Sequence, residues 1–202
     1  MKVLVACEYS GTVREAFRKL GHDAWSCDIL PPDDNSEFHY QCDVSSILNN
    51  GWDLMIAHPP CTYLTNAGAV HLYPKKVLNE ERYLKGMEAK RFFIKLLKAD
   101  IPKICIENPI PSKVFALPPY SQFVQPFEHG HPFSKKTCLW LKNLPILKPT
   151  SIVTDRQSTK IAGNWFNKGG KDRQKIELKH FRELPTQWRN NGDNGSLRRK
   201  SG

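Results

Sequence analysis

The chain has 202 residues, 40% hydrophobic and 25% charged, a composition that suits one globular core and leaves too little chain for two generous domains. It has no run of about 18 apolar residues, and Glu8 interrupts its first apolar stretch too early for a signal peptide, so neither a membrane span nor a secretory leader is expected. A net charge of +10, from 30 Lys and Arg against 20 Asp and Glu, suits a polyanionic partner without naming one, and part of it lies in the tail at Arg198, Arg199 and Lys200.

Residues 2–7, KVLVAC, read as a buried strand. After Glu-Tyr-Ser-Gly, TVREAFRKLG puts Val13, Ala16, Phe17 and Leu20 at helical spacing. Gly21 closes that helix and HDAWSCDIL supplies a second strand, so the opening is a β-α-β unit fit for a parallel sheet. DVSSI starts a short helix that Asp43 or Ser45 can cap. WDLMIAH is a buried strand whose ladder Pro59 and Pro60 forbid from continuing, turning Cys61 out at its carboxyl end. Over 79–98, Tyr83, Met87, Phe92 or Phe93, and Leu96 or Leu97 share one face of an amphipathic helix. IPKICIE is the next strand, with a polar-proline break at Glu107-Asn108-Pro109, and TCLWL is a later one. Strands that alternate with helices and end in polar residues predict an open doubly wound α/β sheet with ligands at its carboxyl ends. Beyond Lys148 the glycines Gly163, Gly169 and Gly170 and many charges predict a loop-rich segment with a short helix near Glu177 to Leu184. The expected organisation is a single-domain body over 1–148 and a loop-rich basic segment over 149–202.

The six cysteines, Cys7, Cys27, Cys42, Cys61, Cys105 and Cys138, form no C-x-x-C pair and mostly sit in apolar stretches, which points to a reducing cytoplasm. His129 and His131 lack a cysteine or carboxylate pair at ligand spacing, so no metal site is expected. Glu8, Ser10 and Thr12 stand where a dinucleotide loop needs its G-x-G-x-x-G pattern, which argues against NAD.

Three strand-end clusters converge in such a sheet: E-Y-S-G, H-P-P-C-T and E-N-P. With Tyr9-Ser10-Gly11, Val13-Arg14, Pro60-Cys61 and Glu107-Asn108 in this order, the chain resembles the DNA cytosine-C5 methyltransferases, in particular their compact phage and prophage members. The resemblance covers about residues 1–145 and continues faintly through Ala162-Gly163-Asn164-Trp165 and Asp172-Arg173. It implies a Rossmann-like methyltransferase sheet and S-adenosyl-L-methionine as cofactor, with DNA as substrate in a bacterial or phage-infected cell. The cofactor would be held by Tyr9, Ser10, Gly11, Asp28, Asp43 and Pro60, and the substrate by His58, Asn108, Lys135 and Lys136.

Chemistry asks for these residue types on its own account. C5 of cytosine is a poor nucleophile until a thiolate adds at C6, a step Cys61 can supply. His58, Lys135 and Lys136 are the nearby groups able to favour that thiolate. Charge builds at N3 during addition, and a carboxyl group such as Glu107 can meet it. An acid at the end of the second strand, Asp28, suits ribose hydroxyls. Each residue also has a plain alternative: Cys61 as a small buried hydrophobe, Glu107 as a solvated carboxylate or cap, Asp28 in a turn, Asp43 as a cap, the lysines as a solvated loop. His58-Pro59-Pro60-Cys61 is also a distant cousin of the polar-Pro-Pro-aromatic turn of adenine-type enzymes.

The chain departs from the resembled family in two ways. Only about 55 residues follow the 1–148 body, fewer than a target-reading domain needs. Lysines stand where the family has paired arginines, losing the bidentate fork. This leaves open a partner protein for target recognition, a methyltransferase of free pyrimidine nucleotides, and a non-catalytic nucleic-acid- or cofactor-binding relative with a counter-defence role.

Overall fold

The computed structural model describes residues 1–156. The helix expected near 177–184, the motifs at 162–165 and 172–173 and most of the 149–202 segment lie outside these residues.

Among the described residues, seven strands form one sheet: β1 (Lys2–Ala6), β2 (Asp23–Asp28), β3 (His39–Gln41), β4 (Leu54–Ala57), β5 (Lys103–Pro109), β6 (Gln122–Val124) and β7 (Thr137–Lys142), ordered β3-β2-β1-β4-β5-β7-β6. The first five in this order run parallel. β7 runs antiparallel to both β5 and β6. The chain leaves β1 for β2 on one side and later returns to β4 on the other, so the carboxyl ends of β1 and β4 bound the crevice where such sheets take ligands.

Strands buried on both faces need near-continuous apolar sequence, and VLVA and LMIA provide it. Val3, Val5, Leu54, Ile56 and Cys105 face helix α1 (Thr12–Arg18), which contributes Val13 and Phe17. After β4 comes the short helix α2 (Asn66–Ala69), and Leu4, Ala6, Met55, Ile104 and Ile106 face the other layer, where helix α3 (Glu80–Leu97) contributes Phe93 and Leu96. Each fully buried Phe or Leu stabilises the fold by about 1.5–3 kcal/mol. The sheet is therefore doubly wound, as its sequence pattern predicts.

Helix α3 begins at Asn79, whose side chain accepts from the Arg82 amide at 3.0 Å, with Glu80 and Glu81 in its first turn complementing the helix dipole. Tyr83, Met87 and Phe92 are partly buried against the core, as the helical spacing predicts. Three details differ from expectation. Glu107-Asn108-Pro109 does not break β5: those residues stay in the ladder because β7 pairs opposite them, Glu107 with Leu139, Asn108 with Cys138 and Pro109 with Thr137. DVSSI forms only one 3-10 turn, Val44–Ser46, capped by Asp43. Strands β3 and β6, of three residues each, carry too little pattern to be read from sequence.

Candidate active site at the carboxyl edge

The chain leaves β1 through Cys7, at φ 59°, and buries Glu8 completely. The Glu8 carboxylate accepts hydrogen bonds from the amides of Val13 (2.6 Å) and Arg14 (3.2 Å) and from the Ser10 hydroxyl (3.2 Å). It thus caps α1, whose N-cap position is the glycine Gly11. Burial pushes the Glu8 carboxyl pKa up, while the Val13 amide, His58 and Arg14 pull the other way. Sequence reading missed Glu8 as a site residue; its signal was an acid set directly against an apolar strand.

Gly11 sits at φ 66°, and a Cβ there would lie 2.3 Å from Arg14 Nη2 and 2.7 Å from Asp34 Oδ2. The approach that requires glycine is therefore that of the buried Arg14 guanidinium, which bonds Ser26 Oγ at 2.8 Å and also Asp34. Ser10 and Gly11 line a cavity of about 460 Å³ with Thr12, Lys19 and Asp34. Tyr9 is buried beside them.

A separate cavity of about 230 Å³ brings together Asp28, Asp43 and Pro60 with Cys7, Ile29 and Phe92. Asp28 closes β2, accepts from the Leu30 amide at 3.0 Å, and has its carboxyl pKa pushed up by burial. Asp43 accepts from the Ser45 amide at 2.8 Å, which holds its carboxyl below the usual range. Turn and cap, the plain alternatives for these acids, are both realised, yet both carboxylates also line the cavity. Ile29 and Phe92 were not anticipated; Ile29 is 74% exposed directly after Asp28, the kind of apolar surface that suits a flat ring. The six residues expected at the cofactor therefore divide, with Asp28, Asp43 and Pro60 lining this cavity, Ser10 and Gly11 lining the other, and Tyr9 buried and in the lining of neither.

His58 continues the β1–β4 ladder, its amide donating to the Ala6 carbonyl at 3.0 Å. Its buried ring sets Nδ1 3.6 Å from Glu107 Oε1, and the Glu107 side chain is 17% exposed. Three residues on, Cys61 is half-buried. The segments beyond Cys61 and Glu107 are laced together: the Ser112 amide donates to the Leu64 carbonyl (2.7 Å), the Asn66 amide to the Ile110 carbonyl (3.0 Å), and Thr65 bridges Pro111. Cys61 and Glu107 each stand four residues before that bridge, so their strand ends belong to one braced unit. Asn108 is wholly buried, donates through Nδ2 to the Pro109 carbonyl (2.6 Å), and its Oδ1 has no hydrogen-bond partner among the described residues.

Among the other cysteines, burial pushes the Cys7 thiol up to about 12 and raises Cys27, Cys105 and Cys138 as well. Such thiols are poor sources of thiolate at neutral pH. Lys135 and Lys136 precede β7, and an antiparallel strand starts where its parallel neighbours end, so both stand at the same edge as Glu107. Lys136 Nζ lies 4.0 Å from the centroid of Phe123. His129 is buried with Nδ1 3.2 Å from Thr150 Oγ1, and the described residues hold no group of three or more His, Cys, Asp or Glu able to bind a metal. No helix among them is long and apolar enough to cross a membrane.

No protein-family model matches the chain, and no curated protein matches it in sequence. Among solved structures the chain is similar to a prophage-encoded E. coli protein described as a DNA modification methyltransferase, at 16% identity over 75% of this chain and 51% of that one, with a TM-score of 0.45. It is also similar to the Entamoeba histolytica methyltransferase EhMeth, at 16% identity over 77% of this chain and 57% of that one, with a TM-score of 0.48. The chain thus spans little more than half the length of these structures.

Proposed function

We propose that this chain is an S-adenosylmethionine-dependent methyltransferase acting at C5 of cytosine in DNA, with Cys61 as nucleophile and Glu107 as the acid that binds the ring. The observation that carries this reading is the braced unit at the carboxyl edge, in which the Cys61 and Glu107 segments are hydrogen-bonded to each other and His58 Nδ1 stands 3.6 Å from Glu107.

The cavity between Asp28 and Asp43 fits the nucleoside half of the cofactor, because two strand-end carboxylates suit ribose hydroxyls and a purine edge while Ile29 and Phe92 offer apolar faces. When bound, the cofactor supplies a methyl group on a sulfonium. The residues of this chain prepare the acceptor. The Cys61 thiolate adds to C6, which moves electron density toward C5 and N3. Glu107 presents a proton to N3 as charge builds there, with His58 behind it to steady the carboxyl group. Once C5 has taken up the methyl group, its proton passes to water, N3 returns its proton to Glu107, and the Cys61 sulfur leaves C6 as thiolate, which restores the ring. Asn108, next to Glu107 in β5, alternates to the opposite face of the strand, where its buried Oδ1 has no hydrogen-bond partner among the described residues.

The test uses duplex DNA carrying 5-fluorocytosine, in which fluorine cannot leave as the proton does. Incubation with cofactor should give a denaturation-resistant adduct whose peptide map ends at Cys61, and Cys61→Ser should give none. An adduct at another cysteine, or undiminished methyl transfer by Cys61→Ser, would overturn the assignment. Parallel assays on single strands, RNA and free dCMP identify the substrate class.

A further inference from the structure

We infer that Arg82 is a positioning residue for the Cys61 loop, a role that rests on reading Cys61 as the nucleophile. Arg82 lies in the first turn of α3, outside every motif singled out in the sequence. Its Nε donates to the Gly68 carbonyl at 3.2 Å and its Nη2 to the Thr62 carbonyl at 3.3 Å, while the guanidinium carbon sits 5.1 Å from the centroid of Tyr63. Thr62 follows Cys61 directly, so one arm of the fork holds the peptide next to the sulfur-bearing residue.

The loop is built for this grip. A Cβ on Gly68 would stand 2.2 Å from the Thr62 carbonyl oxygen, so the loop can fold back this closely only with glycine at 68. The fold-back sets the Thr62 and Gly68 carbonyls side by side, where one planar fork reaches both. Thr65 fixes the same turn by accepting from the Gly68 amide at 3.2 Å. On its far side the loop is laced to residues 110–112 beyond β5. The segment that follows Cys61 is thus held by two anchors, one leading toward the Glu107 strand and the other to Arg82. A lysine at 82 offers a point charge and cannot hold two carbonyls in one plane. Displacing a reacting group by about 1 Å costs about a hundredfold in rate, so a contact one residue from the nucleophile acts on turnover more than on stability.

The experiment compares full-length Arg82→Ala, Arg82→Lys and Lys85→Ala. Lys85 is the control, an exposed neighbouring cation paired with Glu81 at 2.6 Å and touching neither carbonyl. Arg82→Ala should slow single-turnover adduct formation on 5-fluorocytosine DNA by at least about tenfold while DNA affinity stays within about threefold, a split expected when orientation and not binding is lost. Arg82→Lys should fall between Arg82→Ala and the parent, and millimolar guanidinium ion should restore part of the lost rate to Arg82→Ala and none to Cys61→Ser. Lys85→Ala should match the parent. Unchanged adduct rate in both Arg82 variants, or an equal loss in Lys85→Ala, would overturn the proposal. If the parent forms no adduct, the nucleophile reading falls by itself, and iodoacetamide labelling of Cys61 without substrate decides the clamp: a labelling rate altered at least threefold in Arg82→Ala or Arg82→Lys upholds it, and an unaltered rate in both ends it. That labelling arm also serves if Arg82→Ala does not fold, since Arg82→Lys keeps the charge and one hydrogen bond.

Discussion

Burial of Glu8 in the turn between β1 and α1 strips its carboxylate of water, and the amides of Val13 and Arg14 restore only part of that solvation. Its pKa in the fold is therefore raised above the ordinary value of 4.5, so the native state holds this proton more tightly than the unfolded chain. The stability linked to Glu8 is fully present below pH 4.5 and is lost as pH rises through the raised native value. Asp28, raised by the same cause, acts in the same direction. Melting temperatures of the parent should accordingly fall across this window, and Glu8→Gln, which cannot ionise, should show a shallower fall. Parallel curves for the two proteins would mean that Glu8 titrates normally. Asp28 has a second part in the proposed chemistry. Removing a carboxylate that bonds ribose hydroxyls forfeits hydrogen bonds of about 1.5–3 kcal/mol, so calorimetry should show cofactor affinity lowered by about tenfold or more in Asp28→Ala. Equal affinities would move the cofactor out of the Asp28 cavity.

At the scale of elements, α3 is held to the site by a glycine in its middle. Phe115 is buried against Gly86, and a Cβ at 86 would come within 2.1 Å of the ring's Cζ. Gly86→Ala gains about 1 kcal/mol in helix propensity. It also drives a methyl group into a buried ring, which costs about 1–3 kcal/mol. Because Phe115 is only 2% exposed and has little room to retreat, the clash wins, and a lowered denaturation midpoint at unchanged slope is the expected result. A raised midpoint would show that the ring yields. Neither effect is visible in the sequence, where Gly86 is one glycine in a helical pattern and Phe115 lies in a proline-rich stretch 29 positions later. What is legible is whatever has a period or a long apolar run: β1, β4 and β5, the β-α-β opening, and the face of α3. Tertiary pairing is illegible, which is why Glu107-Asn108-Pro109 reads as a break until Leu139, Cys138 and Thr137 are found opposite it. The same limit applies to the site. The strand ends bearing Asp28, Cys61 and Glu107 follow from the strand pattern, whereas Ile29, Phe92 and Arg82 depend on contacts between distant segments.

Over the whole molecule, the antiparallel insertion of β7 between β5 and β6 decides which charges reach the candidate site. It brings Lys135 and Lys136 to the edge where β4 and β5 end, in a chain whose net charge of +10 would draw DNA to many parts of its surface. General attraction and local contact are distinguishable because they respond differently to the loss of one charge. Each lysine is one of 30 Lys and Arg residues, so its removal barely alters the overall field. A lysine that touches a phosphate instead displaces a condensed counterion, and losing it reduces the slope of log affinity against log salt by about 0.9. The contact of Lys136 with Phe123 does not prevent this, since a cation over a ring, worth about 0.5–1 kcal/mol at an exposed site, can keep its outer N–H groups toward an anion. Lys135→Ala and Lys136→Ala should therefore each flatten the salt dependence of duplex binding by close to one ion, and the double variant by close to two. If all four proteins share one slope, the DNA lies elsewhere on the surface and the lysines are solvated loop residues. If Lys136→Ala keeps the parent's slope while Lys135→Ala and the double variant share a flatter one, Phe123 keeps Lys136 from the phosphates.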